Sequence, residues 1–249
     1  MIDAASISVV LDAMRPERQA LLALLRGLAP SDWDLPTECP AYSVKGIATH
    51  VLGDDLSLLS RQRDAAQNGL VLLAEEMPGT DFRTLLDTFN DRWVAAAAFL
   101  SPELVVELLE LTGEWTAAYY EAVDPSAPGE PVGFFGARGS TSPFWHAIAR
   151  EYMERWVHHS QILRALGRGS LAAEPFVRVG VEVAAAAART EPVRAAEPDG
   201  AWGIGPVVLG PAQQAADILT RAYAPDAVRA LVSGPDEAVD LIAAAAGRP

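Results

Sequence analysis

The chain has 249 residues, half of them hydrophobic, enough for one large or two modest domains with a buried core, which excludes a disordered chain. Its 33 acidic against 19 basic residues give a net charge of −14, which repels phosphate backbones and anionic headgroups and excludes nucleic acid and membrane surfaces as expected partners. The single cysteine, Cys39, can form no disulfide within the chain, and no apolar run approaches the roughly 20 residues that cross a bilayer.

The first residues lack the charged-then-apolar order of a secretory signal, so a cytoplasmic protein is expected. Hydrophobic spacing predicts helices through the first two thirds. The first runs from Ser8 to Leu28, with Val10, Met14, Leu21, Leu25 and Leu28 on one face and Pro16 liable to kink it. After a polar loop holding Trp33 and Cys39, Ser43 is a good N-cap for a second helix that continues to about Gln67. A third begins after Pro78-Gly79-Thr80 and reaches Leu100, and Ser101-Pro102 starts a fourth that ends near Val123. Asp124 to Thr141 holds three prolines and four glycines and reads as a long loop, with Phe134-Phe135-Gly136 to Thr141 as a candidate lid. Ser142-Pro143 repeats the cap signal before a fifth helix that runs to Leu166 and is closed by Gly167. Beyond it the texture changes: alanine-rich Val181 to Arg189, then short apolar runs around Trp202 and Val207 between prolines and glycines, then helices from Pro211 with a turn at Ser233-Gly234-Pro235. The expected architecture is mainly α over residues 1–167, with a small α+β domain over 168–249.

Only four histidines occur, and three of them, His146, His158 and His159, fall in the fifth helix. Glu154 and His158 are four apart and project from one face; His50 and Asp54 repeat that spacing in the second helix. Two facing helices would offer two imidazoles and one or two carboxylates to one point, as metal sites in helical bundles are built. Such a set suits zinc, iron or nickel. The bland reading of each pair is a solvated i,i+4 contact contributing a few tenths of a kcal/mol. A helical wheel favours the bland reading on the fifth helix. Its apolar stripe is Trp145, Ile148, Tyr152, Trp156, Leu163 and Leu166, with His159 among them, while Glu151, Glu154 and His158 lie nearly opposite. Amphipathicity alone therefore makes His159 the core histidine and leaves His158 in water; a metal site there needs a helix buried on two sides. In the second helix His50 and Asp54 border the Val44, Ile47, Val51, Leu58 stripe.

Trp33, then Pro36-Thr37-Glu38-Cys39-Pro40-Ala41-Tyr42-Ser43-Val44-Lys45 and Ile47-Ala48-Thr49-His50-Val51-Leu52-Gly53, resembles a signature of the mycothiol-dependent maleylpyruvate isomerase N-terminal domain family, part of the DinB/YfiT-like metal-binding superfamily. The block Ala149-Arg150-Glu151-Tyr152-Met153-Glu154-Arg155-Trp156-Val157-His158-His159-Ser160-Gln161-Ile162 resembles the family's other signature, and the likeness covers about residues 5 to 170. The resemblance implies a DinB-like four-helix bundle with an extra helix. It implies a divalent metal, zinc, on His50, Glu154 and His158, and a low-molecular-weight thiol such as mycothiol used for isomerisation or S-transfer.

On that reading a coordinated thiol is deprotonated at neutral pH and attacks a small, anionic, electrophilic substrate. Asp54 and Glu151 would relay protons or orient the imidazoles, and Arg150 would attract substrate carboxylates. Two other classes stay open: a metal-dependent hydrolase of the YfiT kind, which would need no thiol, and a non-catalytic metal- or ligand-binding module. The partner expected is a small molecule, and a homodimer is the assembly to consider.

Overall fold

The computed structural model describes residues 2–135, 141–194 and 200–246. They fold mainly as helix, in the DinB-like manner, with a small α+β region toward the C-terminal end. Two units are distinguished by their internal packing: Arg18–Ala122, and Met1–Glu17 together with Val123–Pro249. Helix α1 (Ser8–Arg26) contains the first boundary, and Pro16 lies inside it without dividing it.

In the unit Arg18–Ala122, Ser43 opens α2 (Val44–Leu58) as its N-cap, the hydroxyl oxygen accepting from the Gly46 amide at 3.3 Å. The helix ends earlier than the hydrophobic spacing suggests. It passes at Leu59–Arg63 into a π turn, and Asn68 then caps an additional short helix, α3 (Gly69–Glu76), by accepting from the Leu70 amide at 2.9 Å. The third expected helix is α4 (Phe82–Ala96). Its cap, Asp81, has a carboxyl held below the usual range by the Thr84 hydroxyl and amide. The fourth is α5 (Pro102–Ala122), started by Ser101, whose hydroxyl accepts from the Leu104 amide at 3.2 Å. α2 packs on α4 and α5 and buries Ile47, Val51, Leu52 and Leu58, while α5 buries Leu109.

A buried ion pair fastens these helices. Arg18 grips Asp55 with two donors at 2.7 and 3.1 Å, Thr112 donates to the same carboxylate at 2.6 Å, and Arg18 also donates to the Leu109 carbonyl at 2.7 Å. The close fit of the Arg18 side chain requires residue 113 to be glycine, since a methyl there would meet Arg18 Cγ at 2.8 Å.

In the other unit, Ser142-Pro143 is not a helix cap. These residues form β2 (Ser142–Pro143), antiparallel to β1 (Pro128–Gly129), and the Ser142 hydroxyl is engaged by the Val132 amide at 3.2 Å. Helix α6 (Trp145–Ala165) follows Phe144 and is closed by Gly167 at φ +71°, in the left-handed region. Of the candidate lid, residues 136–140 lie outside the described residues.

α6 packs on α7 (Phe176–Ala187). Trp156 donates to the Leu171 carbonyl at 2.8 Å and Tyr152 to the Phe176 carbonyl at 2.7 Å, and a methyl on Gly180 would overlap the Trp156 indole. The α+β region completes the unit with β3 (Pro192–Arg194), β4 (Trp202–Ile204) and β5 (Val207–Gly210) in one antiparallel sheet of that order. Helices α8 (Ala212–Leu219), α9 (Pro225–Leu231) and α10 (Asp236–Ala246) follow. Ser233 bridges Val208 of β5 with two backbone hydrogen bonds of 2.8 and 3.2 Å. Among the described residues, no helix is long and apolar enough to cross a membrane.

Candidate functional site

Each expected imidazole–carboxylate pair forms on its own helix. On α2, His50 Nε2 lies 3.5 Å from Asp54 Oδ2, with the imidazole nearly buried and the carboxylate side chain 30 % exposed. The His50 ring stacks on Tyr42 with centroids 5.7 Å apart, and the Tyr42 hydroxyl donates to Asp91 at 2.8 Å. Burial and the Asp91 carboxylate together push the Tyr42 phenol well above its usual range, so it remains a proton donor in that bond. His50 and Asp54 also line a cavity of about 460 Å³ on this unit.

On α6, His158 Nε2 lies 3.7 Å from Glu154 Oε2, and the other ring nitrogen, Nδ1, is 2.9 Å from the Gln161 side-chain oxygen. An amide oxygen only accepts, so Nδ1 is the donor in this contact and Nε2 is the ring nitrogen that faces Glu154. His159 is buried, as the helical wheel expects; contrary to the wheel, His158 is only 8 % exposed, and Glu151, Arg155 and Gln161 are buried with it. The wheel fails because this polar face is satisfied in pairs rather than by water. Glu151 meets Arg155 at 3.2 Å, Arg150 meets Glu154 at 3.5 Å, and His159 meets the fully buried Glu17 at 2.8 Å. The polar groups being matched, the helix can be buried on more than its apolar stripe.

Of the expected acid–base residues, Asp54 faces the cavity beside His50, whereas Glu151 is committed to Arg155 and Arg150 to Glu154. The fourth histidine, His146, stacks on Phe135 with centroids 4.3 Å apart, and burial lowers its pKa.

Both pairs fit a divalent cation. Two ligands about 2.0 Å from a tetrahedral zinc stand about 3.3 Å apart, close to the 3.5 and 3.7 Å observed within the pairs. Nitrogen and carboxylate oxygen are also the donors such an ion takes. Gln161 and Tyr42 are partners of the two imidazoles that the sequence reading lacks. Gln161 had a signal, its i+3 spacing from His158, whereas the Tyr42 stack depends on the turn into α2 and leaves no spacing to read.

Residues 14–163, more than half of the chain, match the family model described as the mycothiol maleylpyruvate isomerase N-terminal domain. The chain belongs to that family. No curated protein and no solved structure matches it. Membership makes it a mycothiol-related, DinB-like protein of a metal-binding kind, and both the His50–Asp54 and the Glu154–His158 pairs fall within the matched residues.

Proposed function

We propose that this chain is a divalent-metal-dependent enzyme that uses a low-molecular-weight thiol, mycothiol or one like it, for isomerisation or S-transfer on a small, anionic, electrophilic substrate. The observation that carries this reading is the occurrence of two imidazole–carboxylate pairs at ligand spacing in a chain of this family. His50, Glu154 and His158 would hold the metal, with zinc the ion best suited to that donor set. A divalent ion bound there would keep a thiol in its nucleophilic, deprotonated form at neutral pH.

The remaining tasks fall to the chain itself. Gln161 fixes the His158 tautomer and Tyr42 braces the His50 ring. Asp54, partly exposed beside His50, is the group suited to take the thiol proton and to return one to the substrate. Arg150 and Glu151 act on α6 as positioning residues, through Glu154 and Arg155. The family match ends at residue 163, which supports reading 1–167 as the metal-binding domain and 168–249 as a separate α+β domain.

The test is metal content per chain by elemental analysis of the wild type, His50→Ala and His158→Ala, purified without a metal-binding tag. About one equivalent in the wild type, lost in both variants, is expected, followed by turnover that requires an added thiol. Turnover without thiol would make the protein a hydrolase, and no metal after reconstitution would leave a ligand-binding module as the better account.

A further inference from the structure

A second cavity, of about 390 Å³, lies in the unit Arg18–Ala122, where residues from the end of α1 and the start of α5 line it. None of the residues assigned to the metal is among them, and the volume is within the range that takes up small ligands. Leu25 and Leu28 from α1 and Val106 from α5 supply an apolar wall. Trp33, in the short 3-10 turn Pro30–Asp34, adds an indole that is only 5 % exposed. Trp93 and Trp156 donate their indole N–H groups to the Thr49 and Leu171 carbonyls, but among the described residues that of Trp33 has no acceptor. A donor buried to that degree and left unmade costs free energy, which an occupant bringing a carbonyl would recover.

The charge of the lining has one sign. Glu103 and Glu107, four residues apart on α5, share a face of the helix and are exposed, and neither has a cationic partner among the described residues. Arg26, the cation of the lining, is held by Glu110 at 2.6 Å. Two carboxylates on their own would be a solvated helix face. Here they stand at the rim of an apolar cavity that also holds a buried donor, so an occupant has to bring a cation, a hydrocarbon stem and a hydrogen-bond acceptor together. A guanidinium, with five donors in one plane and weaker hydration than an ammonium, can serve both carboxylates. An arginine within a peptide carries all three parts. The net charge of −14 draws basic segments toward the chain, and the cavity supplies a place for one to seat.

We propose that this cavity docks an arginine presented by a partner peptide, with its guanidinium on Glu103 and Glu107, its stem against Leu25, Leu28 and Val106, and a backbone carbonyl on the Trp33 indole N–H. The surface is independent of the metal chemistry.

The test uses the full chain and Nα-acetyl-arginine methylamide, an arginine flanked by both of its peptide bonds. The controls are the citrulline analogue, which is an uncharged isostere, and butylguanidinium, which keeps the charge and stem and lacks the carbonyl. Binding is followed by the indole N–H resonance of Trp33, assigned by its loss in Trp33→Phe, and by ligand-observed titration where that resonance is absent. The arginine probe should shift the resonance and bind at least about tenfold tighter than the citrulline probe. Glu103→Gln and Glu107→Gln should each weaken it about threefold, while Glu75→Gln, which removes the same charge from α3 outside the lining, should leave it unchanged. Butylguanidinium should bind several-fold more weakly than the arginine probe, and Trp33→Phe should abolish that difference. If Trp33→Phe misfolds, the two exposed glutamates and the probe series on the wild type still decide the matter. Equal binding of the arginine and citrulline probes, butylguanidinium as tight as the arginine probe, or equal losses in Glu75→Gln and Glu107→Gln would overturn the proposal. Chelator-treated and zinc-loaded protein should bind the arginine probe alike, and binding that appears only with zinc would overturn it as well.

Discussion

The two imidazole–carboxylate pairs are nearly identical in sequence spacing and differ in what surrounds them. On α6 His158 is buried and Glu154 partly exposed, and the surrounding contacts are polar: Gln161 meets His158, Arg150 meets Glu154, and Glu17 holds the neighbouring His159. On α2 the pair borders a cavity, His50 is braced by an aromatic ring rather than a hydrogen-bonded amide, and Asp54 is partly in solvent. The first pair lies among hydrogen-bonding and charged partners, whereas the second opens on a cavity. The spacing of four residues specifies only that two side chains share a face; burial and the third residue in contact decide what the pair can do.

The sharpest break of this comparison lies in the two buried clamps beside the pairs. Asp55→Ala strands the Arg18 guanidinium, which cannot lose its charge, and should cost about 3–5 kcal/mol. Glu17→Ala strands an imidazole, a group able to stand neutral, and should cost about 1–3 kcal/mol. Urea unfolding of both variants measures the difference, and equal losses would refute the distinction. Next come the glycines under the tryptophans. Gly180→Ala forces a methyl against Trp156, which is fully buried, and should cost about 1–3 kcal/mol. Gly53→Ala forces a methyl against the half-buried Trp93, whose hydrogen bond to the Thr49 carbonyl must give way, and should cost less than Gly180→Ala because that ring lies nearer solvent.

A smaller effect separates the imidazoles. Gln161→Leu should lower metal affinity about ten- to hundredfold by freeing the His158 tautomer, while Tyr42→Leu should lower it less, since a stacked ring orients His50 without choosing its protonated nitrogen. Competition against a chromophoric chelator measures both, and a larger loss in Tyr42→Leu would reverse the assignment. The smallest effect concerns His146, in the first turn of α6 and outside either pair. Burial holds its imidazole below the ordinary pKa of 6.5, so the fold favours the neutral ring. Its contribution to stability is complete above that ordinary value and declines as pH falls below it, where the unfolded chain takes up a proton that the folded chain resists. His146→Phe should remove this part of the acid sensitivity, seen by comparing urea midpoints at about pH 5 and about pH 8; unchanged sensitivity would show that the ring is not the source.

Long helices were legible because periodicity held over many residues, as for α1, α5 and α6, and at α5 the Ser101 cap agreed with it. The end of α2 was not, because the apolar spacing carries past Leu58 while the backbone has already widened into a π turn, and α3 is too short for periodicity to register although Asn68 marks its start. Ser-Pro twice gave the same signal with different outcomes. At 101 the serine caps a helix; at 142 a strand partner and the Val132 amide claim it first. At the site, the four paired residues could be read from spacing, whereas the burial of His158 depended on Arg155, Gln161 and Glu17 satisfying that polar face, information spread over 145 residues of chain.

The small sheet near the C-terminal end has unequal flanks. β5 is shielded through the Ser233 bridge, while β3 pairs only with β4 among the described residues. Among the described residues, β3 begins with a proline that has no amide hydrogen to donate and carries Arg194, a charged side chain. Along these residues a neighbouring strand would find a missing donor at one end and a charge at the other, which disfavours pairing by β3.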